Sequence, residues 1–131
     1  MHYENRADYR AAWDKAYSET PPVPLSVDLE LASTCNLACT FCAFGESDFA
    51  KGYLNSKDWD GRPIRRFMPK EMALRIINEC AEIGIPGIKP NFRGESTLHP
   101  DYSEILEYAA SLTPHKCSCH SFGRHPGQPE R

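Results

Sequence analysis

LSVDLELASTCNLACTFCAF, residues 25–44, joins two patterns that decide how the rest of the chain is read. Leu25, Val27, Leu29 and Leu31 alternate with Ser26, Asp28 and Glu30, a period of two that predicts a strand. Asp28 and Glu30 then face either a barrel interior or solvent. Directly behind the strand come Cys35, Cys39 and Cys42 in Cys-x3-Cys-x2-Cys spacing. Thiolates are soft ligands that suit zinc, copper(I) and iron–sulfur clusters, and three of them on one short loop can converge on a single inorganic centre. A four-iron cube commonly takes four thiolates, so a three-cysteine loop leaves one iron open to another ligand. In a parallel α/β architecture a loop that follows a strand lies at the carboxyl end of the sheet, where such folds bind ligands.

Downstream, residues 45–68 form a polar and aromatic connection longer than most loops in compact domains. It suits a lid over the cysteine loop, a contact surface built on Lys51, Arg62, Arg65 and Arg66, or a mobile solvated insertion. Pro69 is expected at the start of a helix whose apolar face is Met72, Ala73, Ile76, Ile77, Cys80 and Ile83, with Gly84 as its stop. Cys80 on that face reads as a buried small hydrophobe and not as a ligand. Residues 85–92 should return as a second strand, since strand, crossover helix and parallel strand make the usual right-handed unit. Pro86 and Pro90 place that strand at an edge or bulge. A second helix is expected after Pro100, with Tyr102, Ile105, Leu106, Ala109 and Leu112 on its apolar face and Pro114 ending it. Residues 114–131 hold Cys117, Cys119, His115, His120 and His125 without apolar periodicity. Such a tract can bind metal, but its short length and unclear spacing favour an unstructured tail.

Upstream, residues 5–19 place Tyr9, Trp13, Ala16 and Tyr17 at helical spacing, which predicts an amphipathic helix covering the core, its aromatic stripe serving as packing. Pro21, Pro22 and Pro24 end it. The organisation is thus an N-terminal helix over 1–20, a core over 21–113 and a tail over 114–131. The chain has 131 residues, 40% of them hydrophobic and 25% charged, with a formal net charge of −3. That balance fits one α/β domain and offers no broad basic surface for nucleic acid. No apolar run is long enough for a membrane helix, and residues 1–10 lack the apolar core of a signal peptide, so the expected compartment is the cytoplasm. Six cysteines in that compartment point to metal or redox roles before disulfides.

The cysteine loop, with aromatic Phe41 directly before Cys42, resembles the signature of the radical S-adenosylmethionine (SAM) superfamily. The resemblance implies a [4Fe-4S] cluster on Cys35, Cys39 and Cys42, with the amino and carboxylate groups of SAM on the remaining iron. Reduction of the sulfonium would then break a carbon–sulfur bond and release a 5′-deoxyadenosyl radical that abstracts hydrogen from a substrate. A second stretch, Asn91-Phe92-Arg93-Gly94-Glu95-Ser96 followed by Leu98-His99-Pro100, resembles the Gly-Gly-Glu-Pro motif that many members carry after the second strand. Gly94 and Glu95 match, while Arg93 stands in place of the first glycine and Ser96 in place of the proline. The resemblance assigns cofactor binding to Phe41, Arg93, Gly94 and Glu95: Glu95 holds the ammonium of SAM, backbone near Phe41 and Gly94 approaches it closely, and Arg93 can reach the SAM carboxylate or a substrate anion.

The family core is a partial TIM-like (β/α) barrel of six strand–helix units, and this chain has room for about the first two, with parallel strands. No counterpart of the family's ribose- and adenine-contacting segments follows. The resemblance is nearest to peptide- or protein-modifying (SPASM-like) subfamilies, which implies a peptide or protein substrate and an electron donor such as flavodoxin or ferredoxin. Two alternatives stand beside a working enzyme. One is a truncated, inactive remnant that holds a cluster or nothing. The other is a small zinc-binding module in which His99, Cys117 or Cys119 joins the three cysteines.

Overall fold

The computed structural model describes residues 6–37, 39–43 and 48–112. The tail with Cys117 and Cys119 lies outside the described residues, as do Ala38 and Phe44. The described elements are helix α1 (Arg6–Lys15), strand β1 (Val27–Asp28), helix α2 (Asp48–Leu54), helix α3 (Lys70–Ile83), strand β2 (Ile88–Lys89), a 3-10 turn (Ser96–Leu98) and helix α4 (Tyr102–Leu112). The chain is therefore mixed α/β, with two parallel strands and four α-helices among the described residues.

Helix α3 follows from its sequence most directly. Pro69 occupies the position before the first helical residue, with φ −56° and ψ 134°, where its missing N–H costs nothing. Gly84 ends the helix in the left-handed region at φ 84°, and its N–H donates to the carbonyls of Ala81 and Cys80. Ala73, Ile77 and Cys80 are buried along one face, and burial pushes the Cys80 thiol pKa up. Met72 and Ile83, predicted on the same face, are exposed at its margins. Helix α4 packs its buried Ile105 and Ala109 against α3, and Tyr108 of α4 donates to Oδ1 of Asn78 at 2.7 Å.

The parallel pair is shorter than the alternation suggests. Val27 aligns with Ile88 and Asp28 with Lys89, fixed by Val27 N–H to Gly87 O at 3.0 Å and Leu29 N–H to Lys89 O at 2.7 Å. Beyond this, Leu31 N–H turns back to Leu29 O, so the strand leaves the ladder. In β2 the odd-numbered carbonyls face β1, which puts Pro86 and Pro90 on the parity directed away from β1, where neither withholds a donor from the ladder, and both are buried. Burial follows the predicted alternation in part: Leu25, Leu29 and Leu31 are buried and Asp28 is exposed, whereas Ser26, Val27 and Glu30 are alike of intermediate burial. Leu29, Leu31 and Ile88 join Ala73, Ile77, Cys80, Ile85, Ile105 and Ala109 in one core between the sheet and the two helices.

Tyr9 ties helix α1 to the segment that leads into β1. The Tyr9 hydroxyl donates to Leu25 O at 3.0 Å, and its ring meets Trp13 edge-on at 6.3 Å. The aromatic stripe is not core packing as expected, because Trp13 keeps 41% of its surface exposed and Tyr17 is 91% exposed past the helix end. The long connection also differs from a plain loop. It contains α2 and then returns to the sheet, where Phe67 bridges Ala32 in antiparallel sense and Met68 N–H bonds Leu31 O at 2.9 Å.

Candidate functional site

The base of the cysteine loop is held on two sides. On one, Ser33 N–H donates to Arg66 O at 3.1 Å, Arg66 N–H donates to Ser33 Oγ at 3.0 Å, and the Ser33 hydroxyl donates to Ile64 O. On the other, Glu95 N–H donates to Thr34 O at 2.9 Å, one residue before Cys35. A Cβ at position 94 would lie 2.0 Å from Ala32 O and 2.6 Å from Thr34 O, so only glycine permits this approach. The fold thus brings the Gly94-Glu95 pair against the start of the cysteine loop.

Above that base, Cys35, Cys39 and Cys42 are free thiols of intermediate burial. Leu37 N–H points to Cys35 Sγ at 3.4 Å, and Cys42 N–H bonds Cys39 O at 3.0 Å, closing a turn. Phe41 projects outward, 86% exposed. Among the described residues no group of three or more His, Cys, Asp or Glu side chains is arranged to hold a metal ion. The three thiols share one loop without forming a ready coordination set.

Arg93 is engaged differently from the sequence expectation. Its Nε and Nη2 donate to the two Glu30 oxygens at 2.8 and 3.0 Å, and its Nη1 donates to the Tyr53 hydroxyl of α2 at 2.6 Å. The Glu30 hydrogen bonds raise the guanidinium pKa above its ordinary value. Glu30 thus faces a partner rather than open solvent, whereas Asp28 meets Lys89 at 3.2 Å on the exposed surface. The fork of Arg93 fastens α2 to the end of β1 and leaves it a poor candidate for a free anion contact. Neither Glu30 nor Tyr53 was legible as a site residue, because each meets Arg93 only through the fold.

Removing this arginine gives a measurable outcome. Arg93→Met strands the Glu30 carboxylate, whose side chain is 20% exposed. Discounted for the solvent that reaches the pair, the expected loss is about 2 kcal/mol of unfolding free energy in urea. Adding Glu30→Gln should recover about half of it. A single variant with unchanged stability would mean that the pair holds nothing in place.

Glu95 is turned toward its own backbone. Its Oε1 accepts from Thr97 N–H at 3.1 Å and from Thr97 Oγ1 at 2.7 Å, capping the 3-10 turn. Ser96, which stands where the motif proline would be, donates its hydroxyl to Pro90 O and is buried. Asn91 Oδ1 is buried without a hydrogen-bond partner among the described residues. An orphaned acceptor beside this motif fits an incoming donor better than it fits a finished core. His99 is fully committed: Nε2 lies 2.7 Å from Met68 O and Nδ1 accepts from Asp101 N–H at 3.0 Å. With both ring nitrogens occupied and the residue buried, His99 does not serve as a fourth ligand for the thiols.

No helix among the described residues is long and apolar enough to cross a membrane. No family model, curated protein or solved structure matches the chain.

Proposed function

We propose that the chain is a radical SAM protein built on a partial (β/α) barrel, with a [4Fe-4S] cluster on Cys35, Cys39 and Cys42. When bound, the cluster and SAM together supply a 5′-deoxyadenosyl radical for hydrogen abstraction. The observation that carries this proposal is the bond from Glu95 N–H to Thr34 O, which sets two stretches 61 residues apart in sequence side by side. A carboxylate next to a three-thiol loop suits an amino-acid ligand whose ammonium needs a partner while its other end meets iron.

The residues present fit that group in donor chemistry. Three unpaired, part-exposed thiols lie on eight residues of chain, so gathering them is a local change above a fixed base. Glu95 keeps a second carboxylate oxygen beyond the one engaged by Thr97, and Asn91 adds an unspent acceptor. Gly94 lets the backbone lie flat against Ala32 and Thr34. Arg93, drawn to Glu30 and Tyr53, sets the position of this stretch and covers it with α2. The substrate class we propose is a peptide or protein, with a flavodoxin or ferredoxin as electron donor.

Anaerobic reconstitution with iron and sulfide should give a brown protein whose electron paramagnetic resonance signal, after reduction, shifts when SAM is added. With dithionite and SAM, 5′-deoxyadenosine should accumulate. A colourless protein, or a cluster signal indifferent to SAM, overturns the proposal. A shifted signal without 5′-deoxyadenosine would identify a binding remnant instead of an enzyme.

A further inference from the structure

Residues 56–64 form a closed loop whose order comes from its own backbone. Ile64 N–H bonds Ser56 O at 3.1 Å, Lys57 bridges Pro63, and Asp58 N–H bonds Arg62 O at 2.8 Å. Asp58 organises the interior: Oδ1 accepts from the N–H groups of Asp60 at 3.0 Å and Arg62 at 2.9 Å, and Oδ2 pairs with Arg66. The hydrogen bond from Arg66 and the Arg62 amide hold the Asp58 carboxyl below its ordinary pKa. Gly61, at φ 74°, makes the turn that a side chain would resist.

This ordered loop presents Trp59 to solvent with 95% of its surface exposed. Lys57, Arg62 and Arg65 are exposed beside it in sequence, and Lys57 and Arg65 make no ion pair among the described residues. Residues 56–66 carry four cations and two carboxylates, a net +2 in a chain of net −3, which leaves −5 elsewhere. An exposed indole with arginines close to it in sequence is the side-chain set on which protein interfaces anchor, and a loop already ordered adds little entropy loss on binding.

We propose that residues 56–66 are a docking element for an acidic segment of a partner protein, with Trp59 entering an apolar hollow and Lys57, Arg62 and Arg65 meeting carboxylates around it. The charge distribution selects this occupant. A nucleic acid extending past the loop would meet a chain that is otherwise acidic, whereas a compact acidic segment need touch only the loop. The loop closes at Ile64, whose carbonyl is bonded by Ser33, so a docked segment arrives next to the base of the cysteine loop. Docking requires no iron and stands or falls separately from the cluster.

The test uses the full chain with Trp13→Phe, leaving Trp59 as the only tryptophan. The probe is a synthetic peptide of three Glu-Leu-Glu-Pro repeats. Trp59 emission should shift to the blue on binding, and affinity should fall by about tenfold when salt rises from about 0.05 to 0.5 M. Arg62→Glu should weaken binding by about tenfold, and Trp59→Ala, followed by calorimetry, should abolish it. Tyr17→Ala, an equally exposed aromatic outside the loop, should leave it unchanged. Absence of peptide binding overturns the proposal. So does binding indifferent to Trp59→Ala, or tighter binding to an oligothymidylate or to anionic phosphatidylserine vesicles.

Discussion

Gly94→Ala is expected to destabilise the chain by about 3 kcal/mol, read as a fall in the urea unfolding midpoint at unchanged slope. The added Cβ would lie 2.0 Å from Ala32 O, 2.6 Å from Thr34 O and 2.8 Å from Ala32 C, all of them backbone atoms. Gly94 is not among the positive-φ glycines, so the cost is steric and not conformational. The obstructing segment cannot retreat easily, because Ala32 bridges Phe67 and Ser33 is bonded to Ile64 and Arg66 on its far side. Residues 93–95 must therefore move, and the Glu95 N–H to Thr34 O bond is the first to yield. Loss of hydrogen-exchange protection at the Glu95 amide should accompany the fall in stability. Gly87→Ala supplies a contrast. There the nearest atom is the Tyr9 hydroxyl at 2.6 Å, the far end of a side chain that can move at the cost of its bond to Leu25 O, and the nearest backbone atom, Leu25 O, is 3.0 Å away, so the expected cost is smaller, about 1 kcal/mol. Equal costs at the two positions would show that Gly94 is not wedged between fixed carbonyls.

Where the decisive contacts are local, the sequence already displays them. Pro69 and Gly84 bound α3 because a missing N–H and a left-handed φ are properties of single residues. The alternation from Leu25 to Leu31 identifies the three buried leucines but overstates the ladder, since pairing depends on what the neighbouring strand offers. Pro86 and Pro90 direct their donorless positions away from that neighbour. Helix α2 was illegible for a different reason. Seven residues containing Gly52 give little helical preference, and the Tyr53 hydroxyl of α2 bonds an arginine 40 residues away. The same holds for Arg93 itself. Its neighbours in sequence suggest a ligand-binding loop, yet its partner is Glu30, 63 residues distant. The candidate site was legible as two motifs and their order along the chain. That Gly94 and Glu95 rest on Ala32 and Thr34 came only with the fold, and spacing alone does not orient three thiols.

Leu31→Ala is expected to cost about 3 kcal/mol, within the span common to buried leucines. Leu31 is fully buried and belongs to the cluster that includes Ala73 and Ile77 of α3 and Ile105 of α4. The size of the loss depends on how far the surroundings can close on the space left behind. Here the backbone at the site is held by Leu31 N–H to Leu29 O at 3.0 Å and by Met68 N–H to Leu31 O at 2.9 Å, so the main chain cannot follow the shortened side chain inward. Against a total stability of about 5–15 kcal/mol for a domain, this loss would lower the thermal midpoint by more than about 10 °C. Leu37→Ala tests whether burial is the cause, since Leu37 lies on the cysteine loop, is 53% exposed and should change stability by no more than about 0.5 kcal/mol. The two leucines also separate support from contact. Leu31 lies under the base that carries Cys35, so its loss should raise proteolytic cleavage across residues 31–43 as well as lower the midpoint, whereas Leu37→Ala should do neither. A Leu31→Ala loss below about 1 kcal/mol would mean that the base of the cysteine loop does not stand on this core.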